Sequence, residues 1–135
     1  MVKFEFIVDG PPVSQQARRR DRLRDWQTTV RQEAGKYWHL RQQPTSGLVM
    51  LQIIYFYNIN MDVDNIAKPI QDALIGLVYI DNRQVIDILV SKRNLFGNLK
   101  MNDGSAILTE GFTRENDFLY IAVVSASEEE IPSLW

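Results

Sequence analysis

The 135-residue sequence contains no cysteine and a single histidine, His39. The first absence removes disulfides and thiol chemistry, and the two together remove a Cys/His zinc cluster and a histidine-centred nuclease site. No run approaches the roughly 20 consecutive apolar residues that cross a bilayer, so no membrane partner is expected. The opening Met-Val-Lys-Phe-Glu-Phe lacks the charged-then-apolar form of an export signal, which sets a cytoplasmic expectation. Repeats and low-complexity tracts are missing too. With 45% apolar residues the chain can build one core and not two. It reads as a single domain over residues 1–127, followed by an acidic tail, 128–135, that opens with Glu128, Glu129 and Glu130.

A surplus of positive charge is lacking as well. The formal net charge of −2 argues against a phosphate-rich partner, because phosphate binding leans on Lys and Arg. The distribution overrides the average. Between residues 18 and 41 stand Arg18, Arg19, Arg20, Arg22, Arg24, Arg31, Lys36 and Arg41 against Asp21, Asp25 and Glu33, a local balance of +5. The remainder, with seven basic and fourteen acidic residues, carries −7. Charge segregated in this way suits a site that attracts both phosphates and metal cations.

Phe4, Phe6 and Val8 alternate along a strand from Val2 to Val8 that Gly10, Pro11 and Pro12 end. Leu23, Trp26, Val30, Ala34 and Tyr37 recur every three or four residues, marking one apolar stripe on a helix from about Arg18 to Leu40. Trp26, Tyr37 and Trp38 sit on or beside that stripe and are expected in the core, not stacked on bases. The arginines crowd the first turns, an unfavourable place at about 0.3 to 1 kcal/mol per charge, which a bound phosphate would relieve. After a turn over residues 42–47, the nearly continuous apolar run from Leu48 to Tyr57 reads as a central strand covered on both faces. Ile66, Ile70, Ala73, Leu74 and Leu77 mark a second helix that starts near Lys68 or kinks at Pro69. A strand from about Val85 to Phe96, a loop with the Asn102-Asp103-Gly104 turn signal and a last strand from about Phe118 to Val124 complete the chain. The expected fold is α+β, one mixed sheet with two main helices packed on it.

The chemistry concentrates in the stretch from Asn60 to Asp87, NMDVDNIAKPIQDALIGLVYIDNRQVID. Asp62 and Asp64, two apart in an extended segment, present carboxylates to the same side and can converge on one ion. Such hard oxygen ligands suit Mg²⁺ or Mn²⁺. Asp64, Lys68 and Asp72 are spaced by four and would stack along one helix face. By itself that pattern is equally an ordinary solvated ion-pair ladder, with Asp64 as a helix cap. The company counts against the bland reading: an apolar strand ends in two aspartates, an asparagine and a lysine, and Asp81 with Asn82 follows after a short helix and a Gly76 turn.

The run Asp-x-Asp-Asn-x-x-Lys-x-x-x-Asp-Ala-Leu, followed by Asp-Asn-x-Gln-Val, resembles the signature of the RusA family of Holliday-junction resolvases. The segment from Val8 to Gln16 and the Arg-rich helix after it are similar to the family's N-terminal Gly-x-Pro-x-Ser region. The resemblance implies a RusA-like fold in a bacterial or phage setting. It also implies homodimers that bind four-way DNA junctions and nick two strands of like polarity with Mg²⁺ or Mn²⁺, without a small-molecule cofactor. By position, Asp62 and Asp64 would be metal ligands, Lys68 the essential lysine and Asp72 a supporting acid. The family pair before x-Gln-Val is Asp-Asp, the second being a catalytic ligand, whereas this chain has Asp81-Asn82. Asn82 could coordinate through its carbonyl oxygen without adding charge, Asp81 could turn in to serve, or Asp87 could help. Lys68 would hold a phosphate oxygen, or else would pair with Asp64 or Asp72. Arg18, Arg19, Arg20, Arg22 and Arg24, with Lys92 and Arg93 and then Lys100, would grip phosphates without reading bases. Two rival readings stand beside this one: a catalytically silent junction-binding or regulatory relative that lost a ligand at Asn82, and a plain interaction domain whose carboxylates are a surface ladder. Leu134 and Trp135 in the tail could dock on a partner subunit.

Overall fold

A computed structural model describes residues 3–38, 43–62, 65–101 and 105–132. Four strands and three helices alternate along the chain: β1 (Lys3–Asp9), α1 (Arg20–Trp38), β2 (Val49–Tyr57), α2 (Ala67–Ala73), β3 (Val85–Asn94), α3 (Ala106–Thr113) and β4 (Phe118–Ser125). A 3₁₀ turn, Asn82–Gln84, leads into β3. The strands form one mixed sheet in the order β1-β4-β2-β3. β4 runs antiparallel to both β1 and β2, and β2 and β3 are parallel. The expected α+β class with a mixed sheet is therefore what the chain adopts. No described helix is long and apolar enough to cross a membrane.

The alternation along the strands divides the sheet into two faces. Phe4, Phe6 and Val8 of β1, Leu51, Ile53 and Tyr55 of β2, and Leu119, Ile121 and Val123 of β4 all turn toward α1 and α2. There they meet Trp26, Val30, Ala34 and Trp38 from α1 and Ile66, Ile70 and Leu74 from the α2 segment. The apolar stripe on α1 closes on Trp38 and not on Tyr37, which is exposed. From Ala34 both positions are near the stripe, and Trp38 completes a 26-30-34-38 row that reaches the Phe4 ring edge-on at 5.0 Å.

The other face carries Ile7, Phe56, Phe118, Tyr120 and Ala122. These are covered by Ile107, Leu108 and Phe112 of α3, a helix lying in a stretch read from sequence as loop. Ser105 caps α3 by accepting from Leu108 N, and Gly111 lets the helix approach so closely that a Cβ there would stand 2.3 Å from the Phe118 ring. α3 packs on β1 and β4. Consequently β2 is covered on both faces only near Phe56; Met50, Gln52 and Ile54 remain partly exposed, contrary to the two-sided burial read from its apolar run.

α2 starts at Ala67, so Pro69 lies in the first turn, where its missing N–H breaks no helical hydrogen bond. The helix stops after Ala73, sooner than the apolar spacing through Leu77 implied. Gly76, at φ 81°, provides the left-handed turn back toward β3.

Candidate active site

α2 is held rigidly, and the hold comes mostly from α1. Gln27 Nε2 donates to Pro69 O at 3.2 Å, and Arg31 Nη1 donates to Ala73 O at 3.2 Å and Ile75 O at 2.7 Å. Arg31 thereby caps the carboxyl end of α2, satisfying carbonyls that a short helix leaves free. From below, the buried Tyr79 hydroxyl donates to Gln71 O at 2.6 Å, and burial together with the Asp72 charge raises its pKa. The backbone of α2 is thus anchored from two sides.

On this helix Lys68 and Asp72 pair at 3.0 Å across one turn. The same Asp72 oxygen accepts a hydrogen bond from Asn82 Nδ2 at 2.7 Å. Two segments ten residues apart therefore meet at one carboxylate. Asn82 Oδ1 is left buried without a hydrogen-bond partner, an uncompensated acceptor that costs about 1–3 kcal/mol unless a donor or cation meets it.

Asp81, its neighbour, caps the 3₁₀ turn. Its carboxylate accepts from Arg83 N at 2.8 Å and pairs with Arg83 Nη2 at 3.2 Å. The Arg83 backbone N–H, followed by its guanidinium, holds the Asp81 carboxyl below the usual carboxylate range. Gln84 secures the turn further. Its Oε1 accepts from the backbone N–H groups of Ile80 and Asp81 at 2.7 and 2.9 Å, while its Nε2 donates to Thr45 O and Gly47 O, both at 2.8 Å. Two bonds close the turn on itself and two fasten it to the segment leading into β2, which gives the Gln of the motif a structural reason. Asp87 lies on the opposite sheet face, in register with Met50, away from α2.

At the far end of β2, Asp62 is exposed, and Asp64 falls outside the described residues. The backbone leading to Asp62 is anchored by Lys92, whose ammonium donates to Asn60 Oδ1 at 2.6 Å and Met61 O at 3.2 Å and lies 6.0 Å from the Tyr57 ring centre. Tyr55 supports the same segment: its hydroxyl donates to the buried Asp117 at 2.7 Å and stands 3.1 Å from Ile59 O. Arg18, Arg19 and Arg22 line a cleft shared with Ser14 and Met61, so the arginine-rich start of α1 borders this segment. Arg19 is partly neutralised by Asp21 at 2.7 Å, and Arg20 donates to Gln15 O at 2.9 Å. Arg24 is exposed beside Asp72 in a groove with Gln27, Thr28 and Arg31. Arg93 is exposed on the edge strand, and Lys100 on the loop beyond it. Among the described residues no three His, Asp or Glu side chains are gathered as a metal-binding group. Arg31, Gln84 and Tyr79, which organise the cluster, were not assigned roles from the sequence.

Fold and cluster together define an α+β domain whose acidic and lysine side chains are borne by a β2-α2-β3 crossover and flanked by arginines. The family model described as Endodeoxyribonuclease RusA matches residues 9–98, two thirds of the chain, and the match spans that crossover. The chain belongs to the RusA endodeoxyribonuclease family. Membership implies an endodeoxyribonuclease of the Holliday-junction-resolving kind, with branched DNA as partner. No individual curated protein matches the chain at a significant level.

Proposed function

We propose that residues 1–127 form a divalent-metal-dependent nuclease domain, with residues 128–135 an acidic appendage, that nicks two strands of like polarity in a four-way junction as a homodimer. The observation that carries this reading is the Lys68–Asp72–Asn82 convergence within the family-matched stretch. The donor types suit a hard cation, at two places along β2: Asn82 Oδ1, a buried carbonyl oxygen without a partner, belongs to the turn beside the segment entering the strand, and Asp62, an exposed carboxylate with Asp64 two residues on, follows its far end. Asp81 contributes negative charge next to Asn82 while it caps the turn. Mg²⁺ or Mn²⁺ held by Asp62 with Asp64, or by Asn82 with Asp81, would acidify a bound water and offset charge on the scissile phosphate.

The chain's own groups then divide the work. Asp72 keeps the Lys68 ammonium at a defined place, from which it can take a phosphate oxygen and offset charge on the leaving group. Arg18, Arg19, Arg20, Arg22 and Arg24 grip the backbone on the approach; Arg93, read from the sequence as part of that grip, stands on the other sheet face with Asp87 and Phe56. Lys92 positions the segment that carries Asp62.

The test is cleavage of a synthetic four-way junction by wild type and Asp64→Asn, with Mg²⁺ or Mn²⁺ and with chelator, beside a linear duplex. Metal-dependent paired nicks that vanish in the variant are expected. One observation favours a second reading, a silent junction-binding relative: Asn82 brings an amide hydrogen bond to Asp72 where a further carboxylate would add charge for a cation. Salt-sensitive junction binding without any cut, with cutting gained in Asn82→Asp, would establish it.

A further inference from the structure

The sheet ends in two unlike edges. On β1 the apolar side chains Phe4, Phe6, Ile7 and Val8 are all buried, and the exposed positions are Lys3 and Asp9. β3 is different: ten residues long, without proline or glycine, it pairs only with β2, and its outer side meets no strand among the described residues. Ile88 and Leu89 are 46% and 47% exposed, and as neighbours they point to opposite faces, so the edge is apolar above and below. The usual guards of a free edge are an outward lysine or a proline. Lys92 does not serve, because it is turned inward onto Asn60 and Met61.

We propose that the β3 edge is the surface on which a second copy of this chain docks, strand against strand, to make one continuous eight-stranded sheet. The choice of occupant rests on charge. A two-fold axis perpendicular to the sheet keeps each face on its own side, so residues directly opposite must lie on the same face. With the axis at Val90, Asp87 falls opposite Arg93 of the second copy, and symmetry repeats the pair at the other end. Neither side chain makes an ion pair among the described residues; Arg93 Nη1 donates only to the neighbouring Lys92 O. Leu89 then faces Ser91, and Ile88 faces the stem of Lys92. Centring on Leu89 or Ser91 instead leaves both charges unmatched. The edge is complementary to itself in one register. That two copies assemble is part of the functional reading above; which surface joins them stands on these observations alone.

Sedimentation of the full chain without DNA tests the surface. Wild type is expected to be a dimer, and Asp87→Arg and Arg93→Asp, each placing like charges opposite at two symmetric points, to self-associate roughly tenfold or more weakly. An equimolar mixture of the two variants restores opposite charges at both points and is expected to form a heterodimer. Both positions are solvent-accessible, so circular dichroism should show native folding; neutral Arg93→Gln, expected to weaken association less than Arg93→Asp, serves if a reversal misfolds. A monomeric wild type, or reversals that dimerise as tightly as wild type, would overturn the proposal. A protein that dimerises in this charge-dependent manner yet cuts no junction counts against the nuclease reading and leaves the surface intact.

Discussion

The two faces of the sheet are built to different depths. One is roofed by a 19-residue helix and a second helix pinned beneath it, and it carries the Lys68–Asp72–Asn82 cluster. The other is roofed by eight residues of α3, which reach β1 and β4 and leave the β2-β3 half partly open. The site stands on the face where every element is held by several others. The phosphodiester cleavage proposed for this cluster would need such a frame, because an ångström of misplacement between reacting groups lowers a rate steeply.

Adjacent residues of β2 give the most direct way to break this comparison. Ile53 is fully buried beneath α1, whereas Ile54 faces the thin side. Ile53→Ala should cost about 2–5 kcal/mol in urea unfolding. Gln84→Ala should follow. Removing four hydrogen bonds around the Asn82 turn is expected to lower junction cleavage roughly 10- to 100-fold, the scale of lost supporting contacts at a metal site, and stability by about 1–3 kcal/mol. Equal cleavage by Gln84→Ala and wild type would show that the turn is not held for the site's sake. On the thin face, Gly111→Ala drives a methyl into the Phe118 ring and should cost about 1–3 kcal/mol. Tyr55→Phe leaves the buried Asp117 without its hydroxyl donor and should lower the melting point by an amount worth about 1–2 kcal/mol. Ile54→Ala should be the mildest, at about 1 kcal/mol or less. If Ile54→Ala proved as damaging as Ile53→Ala, the two faces would be equally deep in solution and the contrast would fail.

The thick face was also the more legible one. Phe4, Phe6 and Val8 announce their strand by alternation, and the row from Leu23 to Ala34 announces α1, because both elements bury a single regular stripe. α3 was missed: it is short, contains Gly111 and shows Ile107, Leu108 and Phe112 without a full period, and Ser105 was its one usable signal. In the site, the four-residue spacing of Lys68 and Asp72 predicted a real ion pair. The meeting of Asp72 with Asn82 could not be read from spacing, since it depends on where α2 stops and how Gly76 turns the chain. Nor could the role of Arg31, which entered the sequence reading only as one charge in the basic segment and which caps α2. The expectation that Asp64 continues the Lys68–Asp72 row falls on a residue outside the described ones.

β4 is the last strand among the described residues and an interior strand of the sheet, inserted between β1 and β2. Until Phe118–Ser125 has been synthesised, β1 has no neighbour and β2 pairs on one side alone. A chain released early, by a premature stop or a stalled ribosome, therefore lacks the platform on which α1 and α2 rest. Synthesis itself becomes a safety catch: a domain arranged in this order gains its platform only once its interior strand, Phe118–Ser125, has been made.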